Sequence, residues 1–449
     1  MGKLFGTDGV RGEANRYPMD ASTAASLGQA LTHLLKRASR QPRVIIGKDT
    51  RLSGDMLEGA LVAGITSMGG NPSPVGVLPS PAIAFITRSV GAEAGIVISA
   101  SHNPYQDNGI KIFRGDGFKL SEEEEQAIED LILKGRLPDM TPPAREIGRS
   151  YRIGDARDRY VDFLKNSFPS DLSMKGMKVV IDTANGAAYE VAPEVFFQLG
   201  ADVEVIHNKP DGMNINEQCG SQHTRDLQER VVASHADLGL ALDGDGDRLI
   251  AVDEKGNTIT GDQILIICAK GLQDLGQLKN DLLVSTVMSN LGLKVACTGL
   301  GLKHHAAGVG DRYVLAEMQR LGARLGGEDS GHIIFLDHHT TGDGLLAAIQ
   351  LIAAMLRQGQ PLSELATMME IYPQKLRNVA VKSKPEISTM TDVQEVIREM
   401  EKTLGQHGRV LVRYSGTQNL CRVMVEGPTK EVTERCCDRI AETIKETLG

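Results

Sequence analysis

Ser101 and His102 follow the apolar run Gly95-Ile-Val-Ile-Ser-Ala100 and are cut short by Asn103-Pro104. A run rich in Ile and Val reads as a buried parallel strand. Pro104 cannot donate to a ladder and turns Asn103 away from helix, so the strand ends there. The hydroxyl and the imidazole therefore stand at the C-terminal edge of an α/β sheet, where ligand crevices form. Ser101 is the candidate nucleophile. A second apolar strand ends in Asp243-Gly-Asp-Gly-Asp-Arg248, with three carboxylates at alternate positions. Oxygen donors at that spacing suit a hard divalent cation, and the glycines let the backbone curl around it. A calcium EF-hand shares the alternation, but Arg248 stands where that loop needs Gly, and both flanks read as strands. Without a cation, three acids packed this closely repel one another.

Two further loops add binding groups. Gly326-Gly-Glu-Asp-Ser-Gly-His332 offers Glu328, Ser330 and His332 as compact hydrogen-bonding groups for sugar hydroxyls; taken alone it reads equally well as a hairpin turn. Arg413-Tyr-Ser-Gly-Thr417 brings together a guanidinium, the hydroxyls of Ser415 and Thr417, and the approachable backbone of Gly416. That set fits a phosphate dianion. Phe5-Gly-Thr-Asp-Gly-Val-Arg11 adds another Arg on a Gly-rich loop. A nucleophile, a metal site, a polyol-binding loop and a phosphate clamp are not expected to assort this way among independent surface turns.

Positioning these loops calls for a repeated strand-and-helix frame. Short apolar strands alternate with helical patterns along the chain, the mark of α/β layering. Arg43–Thr50, Lys178–Asn185 and Asp237–Asp243 are runs of one kind, in which apolar residues lead into a polar turn. Ser121 with Glu124 forms a capping box that opens a helix through about Leu133. The stretch from Gly135 to Gly148, with Pro138, Pro142 and Pro143, reads as a linker. At 449 residues the chain exceeds a single core. Four segments are expected. Residues 1–150 carry the Ser101 loop, 151–254 the acidic loop, 255–370 the Glu328 loop, and 371–449 the Arg413 loop. The last segment shows two strand-like runs and a final helix.

Bulk composition narrows the partners. A net charge of −9 argues against nucleic acid or an anionic membrane as partner, and an aromatic content of 4% with no Trp leaves few stacking surfaces. Six scattered Cys without a CxxC pair indicate neither a zinc site nor a disulfide framework. The N-terminus has no apolar signal core, and the apolar stretch Leu345–Leu356 is too short to span a bilayer. A cytoplasmic enzyme is expected.

With these motifs in view, the chain resembles the α-D-phosphohexomutases from Phe5 to Gly427. The four loops appear in the family's order, and Asn214-Ile-Asn-Glu-Gln-Cys-Gly-Ser221 is similar to its glucosamine-handling branch. The resemblance implies three related α/β domains with mixed sheets and a smaller C-terminal α+β domain around a central cleft. It implies that Ser101 is a phosphoserine which, with Asp243, Asp245 and Asp247, holds Mg²⁺. Glu328 and Ser330 would then bind the sugar, with His332 nearby, and Arg413, Ser415, Gly416 and Thr417 would grip the non-reacting phosphate. Arg11, His102, Lys111 and Arg248 would line the reacting phosphoryl group, with His102 or Lys111 as general base.

The implied reaction interconverts glucosamine 6-phosphate and glucosamine 1-phosphate. It runs through glucosamine 1,6-bisphosphate, both intermediate and activator, and feeds amino-sugar nucleotide and cell-wall precursor synthesis. The implied partner is a small sugar phosphate. Oligomeric state, a homodimer included, is left open. One loop departs from the family's usual Arg-Pro-Ser-Gly-Thr-Glu-Pro: here it reads Arg413-Tyr-Ser-Gly-Thr-Gln-Asn419. Two stiffening prolines are gone, and the neutral Gln418 replaces a carboxylate that would suit an ammonium. Neutral hexose phosphates are therefore the alternative substrates.

Overall fold

In a computed structural model, residues 4–6, 8–37, 39–415 and 419–449 are described. The chain forms two compact units, Met1–Val287 with His305–Ala366, and Met288–His304 with Thr367–Gly449.

The first unit holds three sheets. β1 (Phe5–Gly6), β2 (Gly9–Glu13), β3 (Arg43–Lys48), β4 (Asn71–Val77), β5 (Ala94–Ile98) and β6 (Asp107–Arg114) run in the order β1-β2-β6-β5-β3-β4. β3 is parallel to β4 and β5, whereas β6 lies antiparallel to β5. Every residue of β5 is buried, as its unbroken apolar run requires. Val44, Ile46, Ile96 and Ile98 share one core with Leu27, Leu57, Leu61 and Ile65 of the covering helices. Ser121 caps the helix Glu122–Leu133, its Oγ accepting from the Glu124 N–H at 3.3 Å while the Glu124 carboxylate accepts from the Ser121 N–H at 2.8 Å.

β7 (Lys178–Asp182), β8 (Asp202–Ile206), β9 (Leu238–Leu242), β10 (Leu249–Asp253) and β11 (Thr258–Ile259) form the second sheet, in the order β11-β10-β9-β7-β8. β9 and β10 are antiparallel with Leu242 opposite Leu249, so the acidic loop is the connection of a hairpin and not an EF-hand. The third sheet has the order β13-β12-β14-β15, built from β12 (Leu282–Thr286), β13 (Lys303–Ala307), β14 (Leu325–Gly327) and β15 (Ile333–Phe335). Gly327 pairs with Ile333, so the segment 328–332 is also a hairpin turn. The loop takes the hairpin-turn form that its sequence allows.

In the second unit, β16 (Gln374–Ala380), β17 (Arg409–Tyr414) and β18 (Leu420–Glu426) form an antiparallel sheet in the order β16-β18-β17. Helices Thr391–Leu404 and Lys430–Leu448 cover one face through Val393, Met400, Val423, Val425 and Ile440. The sequence predicts two strands and a final helix here, whereas the structure has three strands and a second helix, Thr391–Leu404. The sequence misses β16 because only Val379 of that strand is buried, which leaves no period-2 apolar signal. All six cysteines are buried, and burial pushes the Cys268 thiol up to about 12. Among the described residues, no helix is long and apolar enough to cross a membrane.

Candidate active site

β5 delivers Ser101 into a left-handed backbone with φ +53°, and the residue is 1% exposed. Such a conformation costs a serine about 1–3 kcal/mol and persists only where its surroundings enforce it. Ser101 Oγ donates to Asp243 Oδ2 at 2.6 Å and lies 3.3 Å from His102 Nδ1. Asp243, Asp245 and Asp247, all buried, offer oxygens within 4.8 Å of one another. Burial, followed by Asp247 and Asp245, pushes the Asp243 carboxyl well above the usual range. Asp245 Oδ1 and Asp247 Oδ1 are buried with no hydrogen-bond partner among the described residues. An all-oxygen, mutually repelling set with two orphaned acceptors fits a hard divalent cation.

Cations ring this acidic centre. Lys111, from β6, places Nζ 3.0 Å from Asp245, 3.2 Å from Asp8 and 3.6 Å from Asp247. Burial by itself would lower its pKa, but Asp245 and then Asp8 outweigh that, so the side chain stays an ammonium. The Arg248 N–H donates to Asp243 Oδ1 at 3.2 Å, and its guanidinium lies 3.9 Å from Asp247. Arg11 pairs with Asp8 at 2.5 Å. His102 is lowered to about 4, first by burial and then by Arg248 and Arg11, so it is neutral near pH 7.

The Glu328 loop is held from the same unit: Glu328 Oε1 accepts from the Gly310 N–H at 2.8 Å, and Ser330 Oγ lies 3.5 Å from Oε2. His332 is buried, with Nδ1 3.5 Å from Asp247. The Gly342 N–H donates to its Nε2 at 3.2 Å, which leaves the proton on Nδ1, facing Asp247.

In the second unit, Arg413 of β17 stands opposite Arg422 of β18. Both line a hollow with Met288, Leu376, Leu411 and Met424. Burial and then Arg422 pull the Arg413 guanidinium down, and Arg422 Nε is buried without a hydrogen-bond partner among the described residues. Like charges directly opposite destabilise a ladder, and two such guanidiniums make a receptor for an anion. The Ser415 N–H bonds the Leu420 carbonyl at 2.9 Å, just beyond the end of β17. Gly416, Thr417 and Gln418 lie outside the described residues.

Sequence reasoning left out several groups that the structure brings in. Ser80 donates to Asp245 Oδ2 at 2.5 Å. Lys119 bridges Asp8 and Asp311, the latter at 2.5 Å, and Arg422 joins Arg413. Only Asp8 carried a local signal, as part of the Gly-rich Arg11 loop. The others lie in unremarkable sequence and gain meaning through partners up to 192 positions away.

A strand-edge serine in contact with a three-aspartate hairpin is the arrangement of a phosphoryl-transfer site that uses a divalent cation. The chain matches the phosphoglucomutase/phosphomannomutase domains in order: alpha/beta/alpha domain I over residues 2–138, domain II over 158–256, domain III over 260–372 and the C-terminal domain over 376–443. It belongs to this family. It is similar to the phosphoglucosamine mutases of Syntrophobacter fumaroxidans (67% identity) and Syntrophus aciditrophicus (59%), with full coverage of both chains in each case. Among solved structures, a phosphoglucomutase/phosphomannomutase family protein from Burkholderia thailandensis superimposes with a TM-score of 0.82 at 24% identity, covering 99% of this chain and 97% of that one. The Aspergillus fumigatus N-acetylphosphoglucosamine mutase in complex with GlcNAc-6P and magnesium gives 0.69 at 17% identity, covering 99% and 95%.

Proposed function

We propose that this chain is a phosphoglucosamine mutase, which interconverts glucosamine 6-phosphate and glucosamine 1-phosphate through a phosphoserine at Ser101 and a 1,6-bisphosphate. The observation that carries the reading is the 2.6 Å contact of Ser101 Oγ with the Asp243–Asp245–Asp247 set.

Asp243, Asp245 and Asp247 would hold Mg²⁺ together with an oxygen of the Ser101 phosphate. The cation supplies neutralisation of charge on the transferred group. A sugar hydroxyl attacks phosphorus as the bond to Ser101 Oγ breaks, and its proton passes to a base. Lys111 is held as a cation and steadies the phosphoryl oxygens. His102 carries the free lone pair, and a dianion between Arg11 and Arg248 offsets the charges that depress its basicity. Glu328 and Ser330 bind the sugar hydroxyls, and His332 orients Asp247. Arg413, Ser415, Gly416 and Thr417, joined by Arg422, grip the phosphate that is not reacting. Because the bisphosphate must present each end to Ser101 in turn, this clamp serves both orientations. The product feeds amino-sugar nucleotide and cell-wall precursor synthesis in the cytoplasm.

A side-by-side turnover assay of glucosamine 6-phosphate, glucose 6-phosphate and mannose 6-phosphate, with Mg²⁺ and a trace of the matching bisphosphate, tests the reading. A strong preference for the amino sugar is expected. Equal or better use of a neutral sugar would make the chain a phosphoglucomutase or phosphomannomutase, the reading that Gln418 favours.

A further inference from the structure

Ser101 is gripped by its backbone as well as reached by its hydroxyl. Its N–H donates to Ser99 Oγ at 2.9 Å, and Ser99 Oγ donates to Asp49 Oδ2 at 2.5 Å. The same Asp49 oxygen accepts from Arg51 Nε at 2.8 Å, and Arg51 Nη2 donates back to the Ser101 carbonyl at 2.9 Å. The ring is closed. The side chains of Asp49 and Arg51 are wholly buried, at 0% exposure each, so Arg51 offers no surface to a substrate. Its remaining donors reach along the same loop to the carbonyls of Asn103 at 2.8 Å, Asp107 at 3.0 Å and Pro104. A second grip comes from the connection between β8 and β9. Asn216 Nδ2 donates to the Ser101 carbonyl at 2.9 Å and to the Asn103 carbonyl at 3.0 Å. Gly244 closes the space from the acidic loop, where an added Cβ would lie 2.5 Å from the Ser101 carbonyl oxygen.

We propose that Arg51 and Asn216 are positioning residues that hold Ser101 in its left-handed turn and so keep Oγ aimed at Asp243. The physical reason is that a serine at positive φ relaxes toward the right-handed region once its carbonyl is released. That relaxation re-aims the Cβ–Oγ bond. The inference rests on Ser101 being the phosphoryl carrier.

Asn216→Ala and Asn216→Asp in the full chain provide the test, because Asn216 is only partly buried and its loss leaves Arg51 in place. The readouts are kcat, KM for the sugar phosphate, thermal midpoint, and single-turnover transfer from the phosphorylated enzyme. Asn216→Ala should lower kcat and the single-turnover rate about tenfold or more, since misplacement by an ångström is that costly. KM should stay near that of the parent chain, and the thermal midpoint should fall only by the strain of an alanine at φ +59°, where Asn216 sits. Asn216→Asp, which sets an acceptor against two carbonyls, should fall further. Arg51→Lys keeps a charge for Asp49 but cannot reach four carbonyls, and should lose about a hundredfold. If Arg51→Lys does not fold, the Asn216 pair decides. Parent-like rates in both Asn216 variants would overturn the proposal, as would a fall in kcat matched by equal losses in KM and thermal midpoint. Ser101→Ala, run alongside, separates the two ideas. Turnover in that variant defeats the carrier reading, whereas a dead Ser101→Ala beside a normal Asn216→Ala defeats only the positioning role.

Discussion

Replacing Lys111 with Met would keep most of the side-chain volume and remove one charge from the acidic centre. The ammonium is 3% exposed and stands 3.0–3.6 Å from Asp245, Asp8 and Asp247. Asp8 retains Arg11 and Lys119, so the loss falls on Asp245 and Asp247, whose Oδ2 atoms face Lys111 and whose Oδ1 atoms have no hydrogen-bond partner among the described residues. Breaking a buried ion pair from one side costs about 3–5 kcal/mol, and that is the destabilisation expected with EDTA present. A cation at 100 times its dissociation constant adds about 2.7 kcal/mol to a chain that binds it. With one positive charge removed from the site, Mg²⁺ should bind Lys111→Met more tightly and stabilise it more than the parent. Turnover should be lost in either condition. Urea titrations followed by far-UV circular dichroism, with EDTA and with saturating Mg²⁺, measure both quantities. A variant as stable as the parent in EDTA would refute the charge-balance argument, as would an equal gain of both chains from Mg²⁺.

Ser101→Ala should abolish turnover while leaving the thermal midpoint near that of the parent, which a coupled assay and a melt check together. Arg422→Ala should raise KM about 10- to 150-fold, the equivalent of losing a charge-assisted bond of about 1.5–3 kcal/mol. Its stability should hold or rise, because a like-charge pair across β17 and β18 is relieved; an unchanged KM would remove Arg422 from the clamp. Asp343, fully buried, caps the helix Gly344–Gln358 and accepts from Tyr160 Oη at 2.8 Å, and burial pushes its pKa up to about 6. Because the native carboxyl holds its proton longer than the unfolded one, this group's stability is present below about pH 4 and lost as pH rises through 6, near 1.4 kcal/mol per unit. The Asp343→Asn variant should lack that slope, and parallel stability profiles between pH 4 and 7 would contradict the assignment.

What the sequence displayed clearly were features complete within a few residues. The β5 run that ends at Ser101, the acidic hairpin and the Ser121–Glu124 cap each carry their own local signal, and each appears where expected. The hidden features are long-range pairings. Arg51 follows β3 in a stretch that reads only as a polar turn, and its importance arises from carbonyls about 50 positions away. Ser80 meets Asp245 across 165 positions for the same reason. The strand β16 stayed hidden because an alternating apolar face appears only where that face is buried, and here it is largely exposed. Arg422 was passed over because one arginine in a strand means little until its neighbour across the ladder is seen to be a second one.

The six buried cysteines have a practical consequence. With no native thiol at the surface, and with those of Cys219, Cys268, Cys421 and Cys437 raised to about 11 or 12, the unaltered chain should react slowly with maleimide. One cysteine engineered on the exposed face of each unit would then take a dye without stripping the protein of its own sulfur. The emission of each dye would report on its own unit as ligand is added.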